Sequence, residues 1–127
     1  MSKAAAPTAD LSSQSVPLLD VRGLTITAAR GDQRRPITVG TDLVVDPGET
    51  IGIVGESGSG KSLTARAIVR LLPHGVTAQG SVRFADLDLM ANSEATLRKI
   101  RGWQIALMFQ DPFTMLNPLL RCGAHIE

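Results

Sequence analysis

The eight residues from position 55 to position 62, GESGSGKS, constrain this chain more than any other stretch. They match the pattern G-x-x-x-x-G-K-[ST] of phosphate-binding loops. Its glycines allow tight turns that bring backbone N–H groups close to phosphate oxygens. Lys61 adds a mobile positive charge, and Ser62 offers a hydroxyl to Mg²⁺ at the start of a helix, whose N-terminus favours anions. The stretch therefore predicts a site for nucleotide phosphates.

A plain glycine-rich turn entering a helix is the alternative interpretation. The composition gives only roughly 0.004 accidental matches to the pattern in a chain of this length. The context also fits, because residues 50–54 (TIGIV) are typical of a buried strand and residues 62–72 are compatible with a helix. The predicted nucleotide-binding residues are Gly55, Glu56, Ser57, Gly58, Ser59, Gly60, Lys61, Ser62 and Leu63.

Composition excludes several other classes of function. The 127 residues are 43% hydrophobic, which is enough for one modest domain with a core. A net charge of +1 with dispersed basic residues argues against nucleic-acid binding. Cys122 is the only cysteine, so an intrachain disulfide is impossible. The sequence shows neither a membrane-spanning run nor a signal peptide, and we expect a soluble, cytosolic protein.

The N-terminal third predicts a tail followed by a hairpin. Residues 1–16 are rich in Ala, Ser, Thr and Pro and are expected to be disordered. Residues 18–27 read as a first strand, and residues 28–36 as a polar turn that ends at a proline. A second strand follows. Four of its apolar residues have odd numbers, so they are predicted to face the core together. These residues are Ile37, Val39, Leu43 and Val45. We expect the two strands to pair antiparallel.

The remaining elements are predicted from turn and capping residues and from the spacing of apolar residues. Residues 46–49 (DPGE) predict a turn, and the helix of residues 62–72 should stop at Pro73. Residues 81–84 predict a short strand, with packing residues after it. Asn92 or Ser93 could cap a short helix that runs through Leu97 and Ile100. Residues 104–110 (QIALMFQ) read as a buried strand that ends in a polar residue.

Several of these stretches together resemble the ATP-binding cassette (ABC) ATPases, most closely the nucleotide-binding subunits of oligopeptide and dipeptide importers. The resemblance is carried by GETIGIVGESGSGKS at 48–62, GSVRF at 80–84, IRGWQIALMFQDP at 100–112 and TMLNP at 114–118. It covers roughly residues 18–127. It implies an α/β fold: a P-loop NTPase core with an N-terminal antiparallel β subdomain. Residues 17–127 would form the N-terminal part of that ATP-binding domain, through the Q-loop to the start of the helical subdomain.

The resemblance also implies roles for single residues. Lys61 would contact the β- and γ-phosphates of ATP, and Ser62 would bind Mg²⁺. Gln110 resembles the glutamine of the family's Q-loop, which senses Mg²⁺ and the attacking water, and it is predicted as a catalytic residue and a second Mg²⁺ contact. A carboxamide can accept a hydrogen bond from water and reach a cation through its oxygen. Without its flanking motif, Gln110 would be interpreted as a polar residue marking a strand end.

Two departures from the family pattern limit what is expected. The aromatic residue that stacks on adenine is replaced by Ala28 or Ala29, which should weaken nucleotide binding. The family's LSGGQ signature, Walker B strand and switch histidine lie beyond the Q-loop, and the sequence stops at Glu127. We therefore expect a fold truncated before the signature and Walker B regions, in a fragment or incomplete gene product that binds Mg-ATP without efficient hydrolysis. In such a fragment residues 50–54 could lack neighbouring strands and expose apolar surface.

The function implied is the ATP-binding subunit of an importer of peptides or similar small solutes, peripheral on the inner face of the cell membrane. Its implied partners are transmembrane permease subunits, a second identical or different nucleotide-binding subunit and, indirectly, an extracytoplasmic solute-binding protein. No nucleic acid is expected. Two alternatives stay open: a non-transport P-loop ATPase, and a non-catalytic fragment that binds nucleotide or a subunit. The transported solute is not specified by these residues.

Overall fold

The structure of the protein, a computed structural model, describes residues 16–110. Its strands are β1 (Leu19–Arg30), β2 (Gln33–Val45), β3 (Val76–Phe84) and β4 (Leu87–Asp88), and its helices are α1 (Lys61–Ile68) and α2 (Glu94–Ile100). The predicted tail, apart from Val16, and the motifs after Gln110 lie outside the described residues. Within those residues, no helix is both long and apolar enough to span a membrane.

The four strands form one antiparallel sheet in the order β2-β1-β3-β4. The antiparallel β subdomain and its first hairpin are thus confirmed. The predicted turn over residues 28–36 is wrong, because β1 and β2 pair as far as Arg30 and Gln33. Gly31, with φ of +61°, makes the two-residue connection possible. Pro36 is tolerated because β2 lies at the edge of the described sheet, where only alternate backbone N–H groups bond to a neighbouring strand.

The second strand does not keep one parity. Ile37 and Leu43 pack against the core, but Val39 is 72% exposed, so its predicted inward position is wrong. The pairing shifts between Leu24 and Ile26 of β1, where β2 supplies one residue more than β1. The pairing shifts again between Ile26 and Thr27, where β2 again supplies one residue more. Each extra residue reverses which side chains face inward, so Val39 faces outward between Ile37 and Leu43, which face inward.

The third strand is longer than residues 81–84. It begins at Val76 and pairs with β1 along most of its length. A close backbone approach at Gly80 permits this, since a Cβ there would lie 2.8 Å from the carbonyl oxygen of Gly23. Only glycine fits at this position. β3 thereby covers the second edge of β1 and makes β1 a central strand.

The core lies between the sheet and the two helices. Its members are buried hydrophobic residues from every described element except β2 and β4, together with Val69 and Leu89 from loops. They are Val21, Leu24, Ile26, Ala67, Ile68, Val69, Val82, Leu89, Leu97 and Ile100. Burial of each large aliphatic side chain contributes about 1.5–3 kcal/mol. α1 is therefore fixed against the sheet by the side chains of its C-terminal half.

The helix α1 ends at Ile68, four residues before the predicted end. Arg70 adopts a left-handed conformation with φ of +53°. Its N–H donates to the carbonyl of Ala67 at 3.0 Å, and the N–H of Leu71 donates to the carbonyl of Arg66 at 2.8 Å. These two bonds form a Schellman motif, which terminates a helix and is usually built on glycine. The sequence did not predict a left-handed conformation at Arg70, because this conformation is usual for glycine and rare for arginine.

The second helix follows the prediction. α2 runs from Glu94 to Ile100, and Ser93 is its N-cap, whose hydroxyl accepts a hydrogen bond from the N–H of Thr96 at 3.3 Å. The turn at residues 46–49 is also present, with the N–H of Glu49 donating to the carbonyl of Asp46 at 3.1 Å. The local rules for caps and turns hold in both places.

Two predicted strands are not formed. Residues 50–54 have no strand pairing, and residues 104–110 have a single isolated bridge, from Arg101 to Ile105. The prediction that both are buried strands is wrong for the described residues: Val54 is 93% exposed and Met108 is 95% exposed. A strand must place its backbone groups beside a neighbour. Within residues 16–110 the sheet is antiparallel throughout, and the parallel strands expected of a P-loop core are absent there.

Candidate functional site

The glycine-rich loop leads directly into α1. Gly60 is the residue before the helix, with φ of +93° and ψ of +3°, and Lys61 is the first helical residue. The first amides of a helix have no partner within the helix, so they remain available to an anion. α1 has no acidic residue in its first turn to compete for that position. The local geometry is suited to a phosphate group.

The side chain of Lys61 folds back over the loop. Its Nζ donates to the carbonyl of Gly55 at 2.7 Å, to the carbonyl of Glu56 at 2.6 Å and more weakly to the hydroxyl of Ser59 at 3.4 Å. The N–H of Ser59 also donates to the carbonyl of Glu56 at 3.2 Å. The ammonium has three donors, and all have acceptors in the loop. Lys61 thus closes the loop and places its positive charge among the predicted binding residues.

The sheet holds the loop in place through Gly60. This glycine is buried, and a Cβ on it would overlap Cγ2 of Thr38 and lie 3.3 Å from Cγ2 of Ile37. Both contacts belong to β2. A side chain at position 60 would therefore push the loop away from the sheet, in addition to the strain of a positive φ. The requirement for glycine here comes from packing as well as from the turn.

Thr64 is a supporting residue that the sequence reasoning missed. Its side chain is buried, its Oγ1 donates to the carbonyl of Gly60 at 3.1 Å, and its N–H donates to the same carbonyl at 2.8 Å. A threonine hydroxyl commonly bonds to the carbonyl four residues earlier in a helix. The pair of bonds fixes the first turn of α1 relative to the loop.

The structure brings Gln110 to the loop. A cavity of about 310 Å³ is lined by Ser57, Gly58, Gly60, Lys61, Ser62, Leu63 and Gln110. Of the remaining predicted residues, Gly55 and Ser59 line, with Lys61, a larger cavity of about 490 Å³ against β2 and residues 51–54, and Glu56 lines neither cavity. Lys61 borders both cavities. The two halves of the predicted site, far apart in sequence, are therefore neighbours in space.

The donor set near Ser62 suits a metal that arrives with phosphate. Ser62 is exposed, and it and Gln110 line one cavity with neutral oxygen atoms. Within residues 16–110, no group of three or more His, Cys, Asp or Glu side chains could hold a metal by itself. Mg²⁺ is bound in many nucleotide sites by few protein groups plus phosphate oxygens. These residues fit Mg²⁺ as part of a nucleotide complex.

A cluster at the other end of α1 ties this helix to α2. Arg101 Nε donates to the carbonyl of Val69 at 2.8 Å, and its Nη2 donates to the carbonyl of Arg70 at 3.2 Å. Its Nη1 pairs with Glu94 at 2.5 Å, and the Arg101 side chain is only 15% exposed. The hydrogen bond from Arg101 lowers the pKa of the Glu94 carboxyl, with help from the positive charge of Arg98. Sequence reasoning gave this cluster no role, since the two carbonyls that Arg101 binds are 32 and 31 residues away from it in sequence.

The position expected to hold adenine carries no ring. Ala28 pairs with Arg35 on one side and with Val76 on the other, near the far end of β1. Its neighbour Ala29 donates its N–H to the carbonyl of Gly75 at 2.7 Å. His74, in the same turn as Gly75, is exposed. In the described residues, no aromatic side chain lies at this end of the sheet, where the family pattern has the residue that stacks on adenine.

The loop, its lysine and the helix that follows are characteristic of proteins with a phosphate-binding loop. The sequence profile of the ABC transporter family matches residues 39–124. Since this is more than half of the chain, the protein belongs to the ABC transporter family. Membership of this family implies that it binds ATP.

Individual relatives support the same assignment. The oligopeptide transport ATP-binding protein OppD of Bacillus subtilis is 40% identical over 111 residues, which is 86% of this chain and 31% of that protein. A peptide import ATP-binding protein of Brucella ovis is 43% identical over 118 residues, covering 87% of this chain and 35% of its own length. One from Brucella abortus is 40% identical over 118 residues, covering 92% and 36%. The chain thus spans about a third of these curated relatives.

Proposed function

We propose that this chain is the ATP-binding subunit, or an N-terminal portion of it, of an ABC importer that energises uptake of peptides or similar small solutes. The observation that carries the proposal is the single cavity that joins the loop residues to Gln110. The names of the relatives supply the peptide substrate class. The proposed fold is the N-terminal part of an ABC-type P-loop domain that continues into residues outside the described range.

The loop would bind the phosphates of ATP in three ways. Backbone N–H groups of residues 57–62 would donate to phosphate oxygens, as amides do around a glycine-rich turn. The N-terminus of α1 would add its partial positive charge. Lys61 would exchange its bonds to the carbonyls of Gly55 and Glu56 for bonds to phosphate oxygens, which are charged and therefore stronger acceptors.

Mg²⁺, when bound with ATP, would neutralise phosphate charge and orient the terminal phosphate. Ser62 would offer its hydroxyl oxygen to the ion. Gln110 would hold its carboxamide beside the same cavity, where it can accept a hydrogen bond from water. Hydrolysis needs several positioned groups at once, and the proposal for these 127 residues concerns binding.

The proposed setting follows the family. The chain would lie at the inner face of the cell membrane, in contact with permease subunits and a second nucleotide-binding subunit. A solute-binding protein outside the cell would act with it indirectly. The predicted connection to such partners begins at Gln110. The residues before it, 103–110, expose Trp103 and Met108.

Replacing Lys61 tests the proposed binding site. Lys61→Ala should weaken Mg-ATP binding about 10- to 100-fold, as expected for loss of a charge-assisted contact of about 1.5–3 kcal/mol. Isothermal titration calorimetry measures this loss directly. Lys99→Ala is a matched control, because Lys99 is an exposed lysine on α2. Equal affinities of wild type and Lys61→Ala would contradict the proposal.

A further inference from the structure

We propose that Arg66 is a positioning residue for Gln110, acting through the ring of Phe109. This inference rests on the proposed function and deepens it by naming what keeps the glutamine beside Ser62. The guanidinium carbon of Arg66 lies 4.7 Å from the centroid of the Phe109 ring. A cation within about 6 Å of a ring centroid is attracted by the electron-rich face of the ring.

The segment that carries Gln110 is held by side-chain packing, in which Leu107 lies against the core. Within residues 16–110, no hydrogen bond joins residues 106–110 to another described residue, and these residues form no strand. Their side chains alternate, with Leu107 and Phe109 half-buried and their neighbours exposed. The position of Gln110 therefore depends on side-chain contacts, and Phe109 is the residue next to it.

Phe109 has the guanidinium of Arg66 over one face of its ring. Its half-buried side chain also borders an apolar cavity of about 230 Å³, which Val69, Leu71 and Leu107 line as well. Because open space adjoins the ring, its position depends on the contact with Arg66. Arg66 forms no salt bridge with the described residues, so the ring is the partner that its charge has there.

The helix α1 gives this contact its relevance to the site. Ser62 and Arg66 are four residues apart in α1, so they lie on one face of the helix, one turn from each other. Phe109 lies against Arg66, and Gln110 lines the cavity that contains Ser62. The dipeptide thus runs along α1 towards its N-terminus. A shift of Phe109 would move Gln110 away from Ser62.

A purely structural role for Arg66 makes a different prediction. Arg66 lies in the last turn of α1, where a positive charge is favourable with respect to the helix dipole. In that case its loss would lower the melting temperature without changing how Mg²⁺ affects nucleotide binding. A role in positioning Gln110 would instead change the dependence on Mg²⁺.

The first experiment measures the affinity of the 127-residue protein for ATP with Mg²⁺ and with EDTA. The dissociation constant in EDTA divided by the dissociation constant with Mg²⁺ reports how much Mg²⁺ strengthens ATP binding. Arg66→Met, which keeps the aliphatic stem, should reduce this ratio about 3- to 10-fold and leave the affinity in EDTA within about twofold. Gln110→Ala should reduce it similarly, and the double variant no further than Gln110→Ala alone. Arg66→Lys should fall between wild type and Arg66→Met.

The outcomes separate the two proposals. An unchanged ratio in Arg66→Met with a reduced ratio in Gln110→Ala would overturn the role of Arg66 while leaving the proposed function intact. Additive losses in the double variant would also overturn it. If wild type does not bind ATP, the proposed function fails. The contact between Arg66 and Phe109 is then tested by a second experiment that uses no nucleotide.

That second experiment uses a fluorescent reporter. Trp103 is the only tryptophan, so Trp103→Phe combined with Phe109→Trp leaves one indole at the position of the ring. Adding Arg66→Met should raise its acrylamide quenching constant at least about twofold, because the indole face loses its cover. Arg98→Met is the matched control, since Arg98 is an exposed arginine on α2. Equal quenching with and without Arg66 would overturn the inference.

Discussion

Two stretches that were both predicted to be strands differ in the structure. β1 pairs with β2 on one edge and with β3 on the other, and its Leu24 is fully buried. Residues 50–54 are richer in Ile, Val and Thr than β1, yet they pair with no described strand and expose Val54. The difference lies in their neighbours and not in their own composition.

The comparison shows what a short apolar run can and cannot specify. β-propensity mainly reflects packing on a half-buried pleated surface, so it has effect only where a neighbouring strand exists. β1 gains that neighbour from a two-residue turn at Gly31. Residues 50–54 would need strands from beyond the described range. The loop at residues 55–62 is therefore attached to the sheet through Gly60 and α1, and not through the segment that precedes it.

The largest expected effect separates these two stretches. Leu24→Ala should lower the free energy of unfolding by about 2–5 kcal/mol, because it empties a fully buried position at the centre of the core. Val54→Ala should change it by no more than about 0.5 kcal/mol, as for other surface substitutions. Urea denaturation followed by circular dichroism measures both. A large loss for Val54→Ala would show that residues 50–54 are buried in solution and would remove the contrast.

Much of the fold was accessible from the sequence because local signals agree with it. The hairpin, the turn at residues 46–49 and the Ser93 cap all depend on residues within a few positions of one another. The inward face of β2 was not accessible, because an extra residue opposite Leu24 and Ile26 reverses the parity at Val39. The early end of α1 was also hidden, since an arginine occupies the left-handed position that usually signals its end as glycine.

The next effect tests the attachment of the loop to the sheet. Gly60→Ala should destabilise the protein by about 1–3 kcal/mol, because its Cβ would overlap the methyl group of Thr38 and its φ is unfavourable. Thermal and urea unfolding measure the loss. Thr38→Ser removes the methyl group, so the double variant should recover part of it and retain the part due to φ.

Matched controls make that test specific. Gly58 also has a positive φ, but a Cβ there would meet nothing within 4 Å. Gly58→Ala should therefore show only the backbone cost of about 1–2 kcal/mol, with no rescue by Thr38→Ser. Equal rescue of both alanine variants would show that the contact between β2 and Gly60 does not position the loop.

The candidate site combines residues that are close in sequence, which could be predicted, with residues that are far apart in sequence, which could not be predicted from local patterns. The loop residues were predicted together because they form one continuous motif, and their roles remain predictions. The meeting of Gln110 with Ser62 could be expected only from the family resemblance, because no local rule brings distant segments together. Arg101 could not be anticipated at all, since its partners are two backbone carbonyls at the end of α1 and one carboxylate on α2.

The smallest expected effect concerns the ion pair that ties α2 to α1, and it depends on pH. Arg101 lowers the pKa of Glu94 from its ordinary value of 4.5 in the folded protein. A group with a depressed pKa binds its proton less readily when folded, so it stabilises the fold above pH 4.5. That contribution is lost as the pH falls below 4.5 and through the lower, folded pKa.

Glu94→Gln should therefore melt at a lower temperature than wild type at pH 7, and the gap should narrow as the pH falls below about 4.5, where Glu94 itself becomes neutral. Differential scanning calorimetry across this range measures the gap. Arg98→Met is the control, because its 3.9 Å contact with Glu94 is exposed and should matter little at any pH. A gap that stays constant with pH would mean that the charge of Glu94 does not hold α2 to α1, and that the carbonyl bonds of Arg101 alone make this connection.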